Sequence, residues 1–209
     1  MKKTALAILS LAFVGVVASA PAFAGTLYTN GPLDGYTQSF TIGAGFSVSD
    51  SFTLTSTSTI TSVDFGVWNY PGDSTTSVDW SIGVAPFGGS SSTAATTDVF
   101  DFTNQLYDVY TDTFSTGSLT LGPGTYYLTL LNAVTTGGYA FWDQNNGPSV
   151  AYENTIGNLN GYDEPGSNSE TFDINGTSGG PVVPEPSSLL LMGSGLVSFA
   201  GMMRRKLKA

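Results

Sequence analysis

Every side-chain cation of this 209-residue chain lies at one of its two ends: Lys2 and Lys3 at the front, Arg204, Arg205, Lys206 and Lys208 at the back. Between Thr4 and Met203 there is no Lys, Arg or His, and the chain contains no Cys. A fold made from the intervening residues has no internal salt bridges and no disulfides to draw on. It must cohere by burial and hydrogen bonding, or by burial plus bound metal. Of the 16 acidic residues, all but Glu185 fall between Gly25 and Val183, so an acidic cargo stands between two differently charged ends.

That composition excludes several function classes. Nucleic acid is not a partner, because nothing in the cargo can neutralise phosphates. Anionic lipids and acidic polysaccharides are repelled unless divalent cations bridge them. A Ser or Thr nucleophile has no His or Lys to activate it, and zinc sites built on His or Cys are unavailable. A carboxylate pair, the minimum for glycoside hydrolysis, survives. With so many acids some pair always lies at a workable separation, so this carries no weight and no enzyme is expected.

The front end reads as a secretory signal peptide over residues 1–24. Lys2 and Lys3 form the charged region, Ala5–Val17 the short apolar region, and Ala22-Phe23-Ala24 a small-x-small cleavage site. Signal peptidase would then leave Gly25 as the first residue of the exported chain. An uncleaved N-terminal anchor is the alternative. Either places the cargo beyond the cytoplasmic membrane.

The back end, residues 184–209, has three parts: Pro184-Glu185-Pro186, an uncharged stretch Ser187–Met203, and a basic cluster opening with Arg204-Arg205. As a helix the uncharged stretch over 187–203 would be about 25 Å long, at the short limit for crossing a bilayer. Pro186 suits its first turn, and the basic cluster would stay on the cytoplasmic side of the inner membrane. This order of parts resembles the PEP-CTERM sorting signal of Gram-negative bacteria. The resemblance implies recognition by an exosortase, a membrane transpeptidase acting near Pro-Glu-Pro, and an association with exopolysaccharide and biofilm matrix. The same tail is also known as an "ice-binding protein C-terminal domain", a label for its first context. A plain C-terminal membrane anchor without processing is the alternative.

The cargo, residues 25–176, is rich in Gly, Ser, Thr, Phe and Tyr and shows alternation of period two rather than helical periodicity. Strands are expected over Phe46–Leu54 (with Asp50 a polar break), Ile60–Trp68, Val78–Val84, Leu119–Leu121, Tyr126–Leu131, Tyr139–Trp142 and Glu170–Ile174. Turns at Pro71-Gly72-Asp73, Pro86-Phe87-Gly88-Gly89, Gly122-Pro123-Gly124, Gly137-Gly138 and Asn145-Asn146-Gly147-Pro148 punctuate them. Short strands with regular turns predict an all-β fold, an antiparallel β-sandwich of jelly-roll-like or Ig-like outline. The hairpin around Leu119–Val134 resembles those of β-sandwich cargo domains in PEP-CTERM proteins. Residues 177–183 read as a flexible linker.

Three candidate sites emerge. Asp143 and Asn145 have the spacing of the start of a calcium loop, with Glu153 to complete a shell, and calcium is the one ion the cargo invites. The motif breaks down after Gly147, and an ordinary Asn-Gly turn accounts for the same residues. An aromatic platform could be drawn from Trp68, Tyr70, Trp80, Trp142 and Tyr152. Trp142 beside Asp143, Asn145 and Asn146 makes a pairing suited to exopolysaccharide, the ring for stacking and the polar groups for hydroxyls. Against this, most aromatics in a sandwich fill the space between sheets, and Trp80 in its alternating strand reads as core. Last, Thr53, Thr55, Thr57, Thr59 and Thr61 would project about 6.6–7 Å apart along one strand face, as an ice-binding row does. One row is too few, a turn near Ser56 would break it, and a Thr-rich strand is the simpler account.

Overall fold

The computed structural model describes residues 24–36, 38–154 and 169–179, which fall in one compact unit spanning Phe23–Gly180. The sorting tail, Arg204 and Arg205, the signal segment with Ala22, and most of the linker lie outside the described residues. Among the described residues no helix is long and apolar enough to cross a membrane, and the expected helix over 187–203 lies outside them.

The described residues form β1 (Gly25–Thr29), β2 (Gln38–Thr41), β3 (Ser47–Leu54), β4 (Ser58–Asn69), β5 (Thr75–Gly83) and β6 (Ser92–Thr103). They continue with β7 (Asp108–Leu121), β8 (Gly124–Thr135), β9 (Phe141–Asn145), β10 (Tyr152–Asn154), β11 (Ser169–Glu170) and β12 (Phe172–Ser178). All pairings are antiparallel. The all-β expectation holds. The strands join in one continuous antiparallel run, in the order β1-β12-β4-β7-β6-β5-β8-β3-β10, with β9 pairing β2, β4 and β11. The continuity comes from β6. Its first residues, Ser92–Ala95, pair with β5, and Thr96–Thr103 pair with β7.

The sheet folds back on itself because its apolar residues need a common interior. Phe52 on β3 and Phe172 on β12, near opposite ends of the strand order, meet edge to face at 6.4 Å. Tyr28 of β1 packs on both, at 6.0 and 5.8 Å. Around them lie Ile60, Val63, Phe65 and Val67 of β4, Phe114 of β7, Leu128 and Leu130 of β8, and Ile174 of β12, all buried. Rings of this size bury roughly 150–250 Å² each and dominate such a core. Trp80 packs at its margin against Phe114, 5.6 Å away.

Asp50, the polar break in the alternation of β3, is buried, and its carboxylate accepts the Glu170 amide at 2.7 Å, the Asn30 side chain at 2.8 Å and the Ser51 amide at 2.6 Å. The threonine row is broken near Ser56, as expected, because residues 55–57 form the connection from β3 to β4. Thr53 faces Thr125 and Thr59 faces Thr120 in separate ladders, with hydroxyls 3.1 and 3.0 Å apart.

Candidate functional site

The residues expected to form a glycan or calcium site at 142–146 are drawn inward by the strand they sit on. β9 lies between β2 and the end of β4, and it also holds β11. Trp142 points to the core and is 0% exposed. Its ring meets Phe172 at 5.8 Å and Phe65 at 6.4 Å, and its indole donates to the Thr171 carbonyl at 2.8 Å. No ring face is left for a sugar.

Asp143, one residue on, points to the opposite face, where the segment 30–36 folds over β4 and β9. Its Oδ1 accepts the Trp68 indole N–H at 2.6 Å and the Gly35 amide at 3.0 Å. Its Oδ2 accepts the Thr171 hydroxyl at 2.8 Å and the Asp34 amide at 3.2 Å. Burial pushes Asp143 up to about 6, and these donors hold it from rising further. A carboxylate has about four lone-pair sites, and four donors occupy these. Asn145 is likewise spent: its Oδ1 accepts the Gly147 amide at 2.8 Å and its Nδ2 donates to the Asn30 carbonyl at 3.0 Å. Only Asn146 of this group is exposed. Glu153 stands on β10 opposite Val48 of β3, and Tyr152 beside it meets Tyr127 at 5.9 Å. Among the described residues no group of three or more His, Cys, Asp or Glu is placed to hold a metal ion.

What Asp143 does assemble is an aromatic notch. By gripping both Gly35 and Trp68 it fixes one wall and the floor of a cleft of about 230 Å³ lined by Tyr36, Trp68, Asn104, Gln105, Leu106 and Tyr107. Gly35 has a φ of +66°, and a Cβ there would overlap the Phe102 ring, so only glycine serves. Next to it the Tyr36 amide donates to Asp34 Oδ1 at 2.8 Å, which aims the Tyr36 ring. That ring is 70% exposed, yet one face stacks on Phe102 with centroids 5.6 Å apart and planes at 17°. The opposite wall is a turn held by one side chain. Asn104 Oδ1 accepts the amides of Leu106 and Tyr107 at 3.0 and 2.9 Å, and its Nδ2 donates to the Gly35 carbonyl at 2.8 Å. Tyr107 in turn packs against Trp68 at 5.6 Å and Tyr70 at 5.4 Å. Trp68 and Tyr70 were legible as candidates. Tyr36 and Tyr107 were not, because they come from connections far apart in sequence, and their one local signal is the turn-forming Asp34 and Asn104 just before them.

A larger cleft, about 420 Å³, lies between the 29–33 segment and β4, β7 and β12, with Asp64 and Asp173 on its lining. These acids stand opposite each other in the β4–β12 ladder, and Asp64 is held by the Thr113 hydroxyl at 2.7 Å and the Asn175 amide at 2.8 Å. Two further acids are buried and unused by either cleft. Glu170 accepts Gln144 Nε2 at 3.0 Å, and burial raises its pKa well above the ordinary value. Asp112 has neither oxygen in a well-formed hydrogen bond, and burial, then the charge of Asp98 opposite it on β6, push it up to about 8.

No curated protein matches the chain. Residues 182–206 match the family model described as the PEP-CTERM protein-sorting motif. With Pro184-Glu185-Pro186 near its start and Arg204-Arg205 near its end, the tail of this chain carries the PEP-CTERM protein-sorting motif.

Proposed function

We propose that this is an exported, exosortase-sorted protein of the cell surface or extracellular matrix, without a catalytic role, whose β-domain binds neutral exopolysaccharide. The observation that carries the sorting half is the motif at residues 182–206 behind a domain with no side-chain cation. Signal peptidase acting after Ala24 and exosortase acting near Pro184-Glu185-Pro186 are the processing partners, with the inner membrane holding the tail until cleavage. The binding half draws on the aromatic notch and on the acidic surface, which repels anionic polymers and accepts hydroxyl donors. Calcium enters as a bridge between surface carboxylates of neighbouring molecules or polymers, since the oxygens of Asp143 are occupied by donors.

Two experiments test the halves separately. Removing residues 182–206 should abolish release or display at the cell surface while leaving the domain folded, and unchanged surface yield would refute sorting by this tail. Co-sedimentation of the full chain in detergent with the host's matrix, with calcium and with EDTA, should show pelleting. The burial of Trp142 favours a second reading, a ligand-free structural spacer, and failure to pellet under every condition would decide for it.

A further inference from the structure

We infer that the notch between the 34–36 segment and the 104–107 turn seats one ring of a neutral glycan, with Tyr36 as its stacking platform and Asp143 as the positioning residue beneath it. This rests on the glycan-binding reading above and assigns it to a site away from Trp142. Tyr36 is an aromatic ring that the fold leaves 70% exposed, with one face stacked on Phe102 and its backbone amide bonded to Asp34. A ring held in place with an open face loses little entropy when a flat apolar surface stacks on it. A pyranose offers that surface in the C–H groups of one face.

The rest of the notch suits the same ligand. Leu106, also 70% exposed, and the Trp68–Tyr107 pair supply apolar walls. The exposed Gln105 at the rim offers a donor and an acceptor to sugar hydroxyls. Asn104 does not compete for them, because its amide is spent in holding the turn to Gly35. At about 230 Å³ the space is below the roughly 300–1,000 Å³ typical of pockets for drug-sized ligands, and it suits one ring of a chain that continues into solvent. Charge selects within the class. With no Lys, Arg or His anywhere in the cargo and Asp34 at the notch, uronates, sulfated sugars and phosphates are disfavoured.

The test uses the full chain in detergent, pelleted with cellulose, chitin and agarose as neutral probes and with calcium-gelled alginate as an anionic one. The wild type should bind at least one neutral probe in preference to alginate. Tyr36→Ala should weaken that binding by about tenfold, the scale of one lost stacking contact, at an unchanged melting temperature. Tyr36→Phe should bind as the wild type does, and so should Val84→Ser at an exposed residue outside the notch. Binding by Tyr36→Ala as tight as the wild type's would overturn the notch assignment and leave glycan binding standing. A wild type that binds no neutral probe would overturn both, and a preference for alginate would overturn the selectivity for neutral sugars.

Discussion

Asp112 shows what a domain without side-chain cations does with an acid it buries. Burial pushes its pKa up to about 8, far above the ordinary carboxylate range, so the folded state keeps a proton that the unfolded state releases. The stability held with that proton is full below about pH 4 and is lost as pH rises toward about 8. Asp112→Asn keeps the shape of the protonated acid and removes the titration. It should melt several degrees higher than the wild type at pH 8.5 and nearly level with it at pH 4, as followed by circular dichroism. Asp143 is bound differently, by four donors, and Asp143→Ala would strand the Trp68 indole, two backbone amides and the Thr171 hydroxyl. A loss of about 3 kcal/mol is expected in denaturant melts, with altered Trp68 fluorescence. The sequence Trp142-Asp143-Gln144-Asn145 reads as a wet turn because it is polar. It is a strand buried on both faces, with Trp142 in the core and Asp143 and Asn145 taking up the amides and carbonyls of a covering segment. Hydrogen bonding to a distant backbone leaves no mark in local composition.

At the level of elements, legibility followed alternation. β3, β4, β5 and β8 were visible because apolar and polar residues alternate along them, and the observed bounds differ from the expected ones by a few residues. β6 was not visible. Over Thr97–Asp101 every residue is exposed, Val99 and Phe100 included, so the period-two signal has nothing to record. The first half of β7 was hidden by Asp112, which sits in the inward series between Tyr110 and Phe114. Pairing partners are not written in a strand's own residues, which is why the strand order, with β6 joining β5 to β7, was not legible. The two kinds of strand should also differ in dynamics. Amide exchange should be slowest over Ile60–Val67 of β4, which is flanked by β7 on one side and by β12 and β9 on the other. It should be far faster over Thr97–Thr103 of β6, and equal protection in both segments would contradict this layout.

For the whole molecule, the confinement of Lys and Arg to the two ends leaves the buried acids of the domain without partner cations. Asp50, Asp112, Asp143 and Glu170 all have raised pKa values, each chiefly through burial, so their effects on pH dependence add. The melting temperature should therefore fall steadily from pH 4 to pH 8.5, the reverse of ordinary acid denaturation, and a maximum near neutrality would contradict the placement of these acids. Trypsin, which cuts after Lys or Arg, should find no site between Thr4 and Met203 even in the unfolded chain. The sorting motif was legible because its signal is linear and needs no tertiary partner, whereas the notch is made of residues that only the fold brings together. The central claim is that this acidic β-domain is exported and sorted through its tail. The most direct test is the intact mass of the protein recovered from the surface of an exosortase-bearing host. The account predicts a chain that begins at Gly25 and has lost the basic segment beyond Pro184-Glu185-Pro186, while a full-length 1–209 chain retained inside the cell would contradict it.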